Sequence, residues 1–457
     1  MSMKRRILTA LTALTLLATS AALPARAETL ADTLVAAYRN SNLLDQNRAL
    51  LRATDEDVVQ ARAALLPVLN FVTSATRNSA QARLVAEMTL IDFGRGRLGV
   101  AATREQVLAL RAALIGIEQA VLFRAVAAYV DIQTAAQVIG LRQSNVRLIE
   151  QELRAARERF ELGDSTRTDV AIAEARLAAA RSALSAAEGD LAVAREEFRL
   201  AVGRYPGALS AMPRLPQLPA SLDTAVATAR VRYPAITQAQ HQVRAAELGG
   251  EIARTQRYGT VSGEISADVT HAPQPGLPGR RTNSDLNAGV RWNVPLYQGG
   301  RLASGERQAI ARTEGQRASL HQTVAETQQA VASNWSRLAV ARARLSASDQ
   351  QIEAARAAFD AVRAEAELGA RTTLDVLNAE QELLDAQFAR IEAAAALQLA
   401  SYSLLESTGQ LTVQTLNLGI PTYDVEAYSS AFGGASRART PSVQGQRLDA
   451  ILNRYGN

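Results

Sequence analysis

Chemistry in this chain could come from a few charged side chains set beside two copies of one turn. The first copy runs Phe160-Glu161-Leu162-Gly163-Asp164-Ser165-Thr166-Arg167-Thr168-Asp169-Val170. The second runs Ala366-Glu367-Leu368-Gly369-Ala370-Arg371-Thr372-Thr373-Leu374-Asp375-Val376. Gly163 and Gly369 lie 369 − 163 = 206 positions apart. Asp169 with Asp375, Glu174 with Glu380, and Gly203 with Gly409 keep that offset, so the unit is duplicated. Asp169, Arg371, Asp375 and Asn378 offer ion pairing, capping and attraction of cations. They do not form a catalytic set. The three histidines, His241, His271 and His321, are scattered, and there is no cysteine. No Gly-rich phosphate loop, metal-ligand cluster or activated nucleophile is present, which argues against an enzyme and against a cofactor.

The elements that must position these residues are helices. Leu-Gly ends each incoming helix, since Gly tolerates the left-handed backbone just past a C-terminus. Thr166-x-x-Asp169 and Thr372-x-x-Asp375 resemble capping boxes with Asp at the acidic position. A carboxylate there is also favoured by the helix dipole. Beyond the first turn, Val170, Leu177, Leu184, Leu191 and Phe198 form one seven-residue seam. Ala173, Ala180, Ala187, Ala194 and Ala201 form a second. The other copy shows Ala379, Ala386, Ala393 and Ala400 beside Leu383, Leu397 and Leu404. Such a period predicts close-packed coiled coil. Aromatics at only 4% fit that better than an ordinary globular core.

The net charge of +5 suggests nucleic acid but is misleading. Lys4, Arg5, Arg6 and Arg26 near the start and Arg437, Arg439, Arg447 and Arg454 near the end carry the surplus, so no basic footprint remains in the body. Residues 1–27 read as a secretory signal: Lys4-Arg5-Arg6, an apolar run from Ile7 to Leu23, and Ala25-Arg26-Ala27 as cleavage site. Residues 28–215 form a first structural repeat of helix, two strands, long helix and hairpin helix. Residues 216–425 form a second, and 426–457 a flexible tail. Residues 204–220, with four prolines, read as a linker belting the helices. Pro-free stretches of about 65 residues precede each turn and predict helices roughly 97 Å long, too long for a globular domain.

Four segments alternate with period two: residues 69–77, 83–90, 261–270 and 285–296. In the third and fourth, Val261, Ile265, Val269, Leu286, Val290, Trp292 and Val294 share the apolar face. Asp285, Asn287, Arg291 and Asn293 lie on the other. Lipid outside and water inside produce this pattern, and ten residues cross a bilayer as a tilted strand. Four strands cannot close a barrel, and open edges in lipid leave backbone groups unsatisfied, so other copies must complete it. Two, three or four copies would give 8, 12 or 16 strands. The alternative is a soluble periplasmic coiled-coil adaptor or scaffold, which needs no such strands.

These motifs resemble the TolC family of outer-membrane efflux ducts over about Glu28 to Tyr428. The resemblance rests on the duplicated helix–strand–strand–helix–helix plan and on the two Glu-Leu-Gly-x5-Asp-Val turns. Tyr297-Gln298-Gly299-Gly300 and Ile420-Pro421-Thr422-Tyr423-Asp424-Val425 add to it. It implies an α+β membrane protein with an internal two-fold sequence repeat. A long α-helical coiled-coil barrel in the periplasm would join a transmembrane β-barrel shared between three subunits in the cell outer membrane. It implies a homotrimer, outer-membrane lipid, a periplasmic adaptor and an inner-membrane ABC or proton-driven transporter as partners, and no nucleic acid. Cargo would be secreted protein (type I secretion), small molecules, or both. The missing N-terminal Cys fits the non-lipidated secretion branch. Gly163, Asp164, Ser165, Gly369 and Ala370 would form the adaptor-contact tips. Asp169 matches an aspartate that bonds a neighbouring helix in the closed state, and Arg371 matches its partner. Asp375 matches an aspartate of the constriction ring. Asn378 stands where some members have a second ring aspartate, and Ala366 where some have a tethering tyrosine. Both departures imply a less acidic, less firmly latched periplasmic gate.

Overall fold

A computed structural model describes residues 27–163, 166–273 and 279–421. The expected signal, the tip residues Asp164 and Ser165, the Thr422–Val425 motif and the tail lie outside the described residues. The chain divides into two compact units, a helical one and one built on a sheet. Among the described residues the helical unit takes 27–49, Leu108–Glu247 and Arg307–Ile420, and the other takes Leu50–Val107 and Leu248–Glu306.

In chain order, α1 is Leu30–Asn40, α2 Asn42–Ala63, β1 Val68–Ala75 and β2 Ala80–Ile91. Then come α3 Arg95–Glu161, α4 Arg167–Val202, α5 Leu222–Arg232 and α6 Pro234–Thr255. A short 3-10 turn at Gln256–Tyr258 leads to β3 Thr260–Pro273 and β4 Arg280–Asn293, followed by α7 Arg301–Glu367 and α8 Thr373–Ser407. Both α3 and α7 run 67 residues, about 100 Å at 1.5 Å per residue. The single helix expected at the start of the first repeat is two helices, because the chain turns extended at Ser41, whose hydroxyl accepts from the Leu44 amide at 3.3 Å. The second repeat also begins with two helices: α5 ends at Arg232 and Pro234 opens α6, where its missing N–H costs nothing.

Within the helical unit the alanine seam is buried. Ala173, Ala180, Ala187 and Ala194 of α4 lie inside with Leu177 and Phe198, as do Ala386 and Ala393 of α8. Small side chains let helix axes approach closely. One apolar cluster joins Ile149 and Leu153 of α3 to Ala173, Leu177 and Ala180 of α4 and Leu377 of α8. A second joins Ala225 and Ala229 of α5 to Val331, Leu338 and Ala341 of α7 and to Leu397 and Leu404 of α8. The linker after α4 is tied down by its carbonyls. Tyr129 Oη and Gln133 Nε2 each donate to the Ser210 carbonyl at 2.7 Å, and Gln398 Nε2 donates to that of Pro213 at 3.0 Å. Glu28 joins it through Arg204, whose guanidinium donates to both carboxylate oxygens at 2.7 and 3.1 Å.

In the other unit the strands form one antiparallel sheet of order β1-β2-β3-β4. The register pairs Phe71 with Leu84, Leu84 with Ala267, and Ala267 with Leu286, so one face stays apolar across all four strands. β1 and β4 are left as the two edges. The β3–β4 hairpin reaches further than its alternation alone predicts, with 14 residues in each strand. Val294, expected on the lipid face of the last strand, lies one residue beyond β4. Pro295 follows it and has no N–H for the ladder.

Candidate functional site

Two places carry the sequence-predicted residues. The first is the pair of turns α3–α4 and α7–α8, both in the helical unit. Gly163 and Gly369 adopt φ of +83° and +76°, the left-handed region that closes each incoming helix. Both outgoing helices open on complete capping boxes. The Thr166 amide donates to Asp169 Oδ2 at 3.0 Å and the Asp169 amide to Thr166 Oγ1 at 3.3 Å. Thr372 and Asp375 repeat this at 3.0 and 3.2 Å. The bond from the Thr372 backbone, then that from its hydroxyl, then the Arg371 charge hold the Asp375 carboxyl below the usual range. Leu162 and Leu368 stand 77% and 87% exposed at the turns, so each tip presents an apolar side chain to its surroundings.

Arg371 donates to Glu365 Oε2 at 2.8 Å, within its own hairpin. That bond and the Glu365 and Asp375 charges push its pKa up. Asp169 and Arg371, expected as partners, are thus each engaged inside their own hairpins. Asn378 meets the other hairpin: Arg176 of α4 donates to its Oδ1 at 3.2 Å. Two residues further on, Glu380 of α8 is buried and accepts from Asn145 Nδ2 of α3 at 2.7 Å. Glu365, Arg176, Asn145 and Glu380 were not legible as site residues. The only hint was that Glu380 keeps the repeat offset with Glu174.

The second place is the sheet. Its apolar face carries Val261, Ile265 and Val269 of β3 and Leu286, Val290 and Trp292 of β4. Ile265, Leu286, Val290 and Trp292 are between 57% and 77% exposed, as no surface enclosed in a water-soluble core would be. The opposite face is polar. Arg83 of β2 donates to Glu264 at 2.7 Å and lies 3.5 Å from Asp268, both on β3. Aromatic residues gather where the strands meet the helices. Phe93 follows β2 and Tyr258 precedes β3, with ring centroids 5.4 Å apart, while Trp292 is the penultimate residue of β4 and Tyr297 lies beyond it. Aromatic girdles of this sort mark membrane–water interfaces. Apart from Trp292, this cluster emerges only once the register is known.

Comparisons with known proteins agree with this geometry. Residues 33–204 and 225–410 match the family described as "Outer membrane efflux protein". The chain is 34% identical to outer membrane efflux protein BepC of Brucella suis, over 89% of this chain and 91% of that protein. It is 27% identical to alkaline protease secretion protein AprF of Pseudomonas aeruginosa, over 64% of this chain and 61% of the relative. The solved CmeC outer membrane channel of Campylobacter jejuni shares the fold at a TM-score of 0.73 and 13% identity, covering 89% of this chain and 90% of that one.

Proposed function

The chain belongs to the outer membrane efflux protein family, and on that premise we propose how it works as an exit duct built from several copies. It is an outer-membrane export channel with its helical tunnel in the periplasm, and not an enzyme. The observation that carries the assembly is the sheet: an exposed apolar face, a polar opposite face and two open edges. In lipid, backbone groups on those edges must be paired, so β4 of one copy pairs with β1 of the next. Three copies close a twelve-stranded barrel.

The tips are the entrance. Gly163, Asp164, Ser165, Gly369 and Ala370 meet a periplasmic adaptor, which couples the duct to an inner-membrane transporter. Asp169, Arg371, Asp375 and Asn378 form the gate, with Arg371 exchanging Glu365 for a partner on a neighbouring hairpin as the entrance closes. The adaptor opens the gate by binding the open arrangement better than the closed one. BepC is named for efflux and AprF for protease secretion, so small molecules and secreted proteins are both fitting cargo. Membrane extraction and cross-linking test the assembly. The duct requires detergent for release and cross-links to three copies. Release by high salt or alkali would mark the chain as a peripheral coiled-coil scaffold instead.

A further inference from the structure

We propose that Glu380 is a proton-binding site that sets how tightly α8 is held against the first hairpin. Its side chain lies on the seam where α3, α4 and α8 meet, at 4% exposure. It is one helical turn from Leu377, and Asn145 is one turn from Ile149; both apolar residues belong to the cluster joining these helices. Oε1 accepts the Asn145 amide at 2.7 Å, while Oε2 is buried without a partner. A single neutral amide is thin support for a buried carboxylate, and an orphaned oxygen costs far less on a neutral acid than on an anion.

Two charged groups bear on it: Glu152 of α3, itself 8% exposed, and Arg176 of α4, which is also bonded to Asn378. Burial dominates, and Glu152 adds to it, against the Asn145 bond and Arg176; together they push the carboxyl up to about 7. The repeat supplies a contrast. Glu174, at the matching position of the first half, is exposed and takes Arg157 at 2.6 Å. The same residue type is an ordinary surface ion pair in one half and a buried acid in the other.

When α8 moves away, the carboxyl meets water and returns to its ordinary 4.5. The contact is therefore fully held below that value, weakens as pH rises through the window up to about 7, and is weakest above it. The consequence at an entrance, easier opening in neutral than in acidic surroundings, rests on the duct reading. The contact itself does not.

The test is hydrogen exchange of the full-length protein in detergent, corrected for intrinsic rates, over residues 373–385 at about pH 5.5 and about pH 8. Wild type loses protection by on the order of tenfold between the two, and Glu380→Gln, neutral at both, does not. Glu152→Gln keeps the step and moves its midpoint to lower pH. Flat protection in wild type, a step undiminished in Glu380→Gln, or an unmoved midpoint in Glu152→Gln would each overturn the proposal. Should Glu380→Gln not assemble, wild type and Glu152→Gln still decide it. An exchange step in a protein that forms no channel would leave the proton site standing and remove the duct.

Discussion

Asp375 does two jobs at once. It closes the capping box on α8, and in the gate proposed above the same carboxylate would face whatever enters the duct. Its lowered pKa means that this cap is fully formed at neutral pH and is lost as pH falls through the lowered value. Glu380, five residues further along α8, responds with the opposite sign. Asp375→Ala should weaken block of the channel by multivalent cations, read as current remaining at a fixed blocker concentration; unchanged block would remove Asp375 from the constriction. Thr166→Ala should cost about 1 kcal/mol by loss of the matching cap and increase exchange in the first turn of α4. The Thr-x-x-Asp boxes were legible in the sequence because a cap is local. The Arg371–Glu365, Arg176–Asn378 and Asn145–Glu380 contacts were not, because partner choice depends on which helix faces meet.

At the scale of elements, strands and long helices were readable from period alone, and their ends were not. β3 and β4 continue through His271–Pro273 and Arg280–Ser284, which border a Pro- and Gly-rich stretch and read with it as loop. The ladder pairs them all the same, with Pro273 opposite Arg280 at its very end. The two faces of this hairpin should differ in tolerance. Ile265→Arg, on the apolar face, should destabilise the inserted protein by roughly 2–4 kcal/mol in urea titration from bilayers. Asn287→Arg, on the polar face, should leave stability nearly unchanged. Equal effects would mean that the apolar face does not meet lipid. Gly259 joins the 3-10 turn to β3 at φ +73°, and an added Cβ would collide with the Asn293 carbonyl. Gly259→Ala should therefore sharply lower the amount of folded protein recovered in the outer membrane, measured by heat-modifiable mobility or protease resistance.

The whole molecule is an incomplete object as one chain. Among the described residues its sheet ends in two open edges and its apolar face is exposed, so in the proposed duct barrel and tunnel exist only in the assembly. The sequence made this need visible through strand number and alternation, and left the copy number to the family resemblance. The most direct measurement is single-channel conductance of the detergent-purified protein in a planar bilayer, with Arg371→Ser alongside wild type. Discrete, uniform steps in wild type that grow larger in Arg371→Ser are the result expected of a gated duct. A folded, membrane-inserted assembly that passes no current in either form would contradict it.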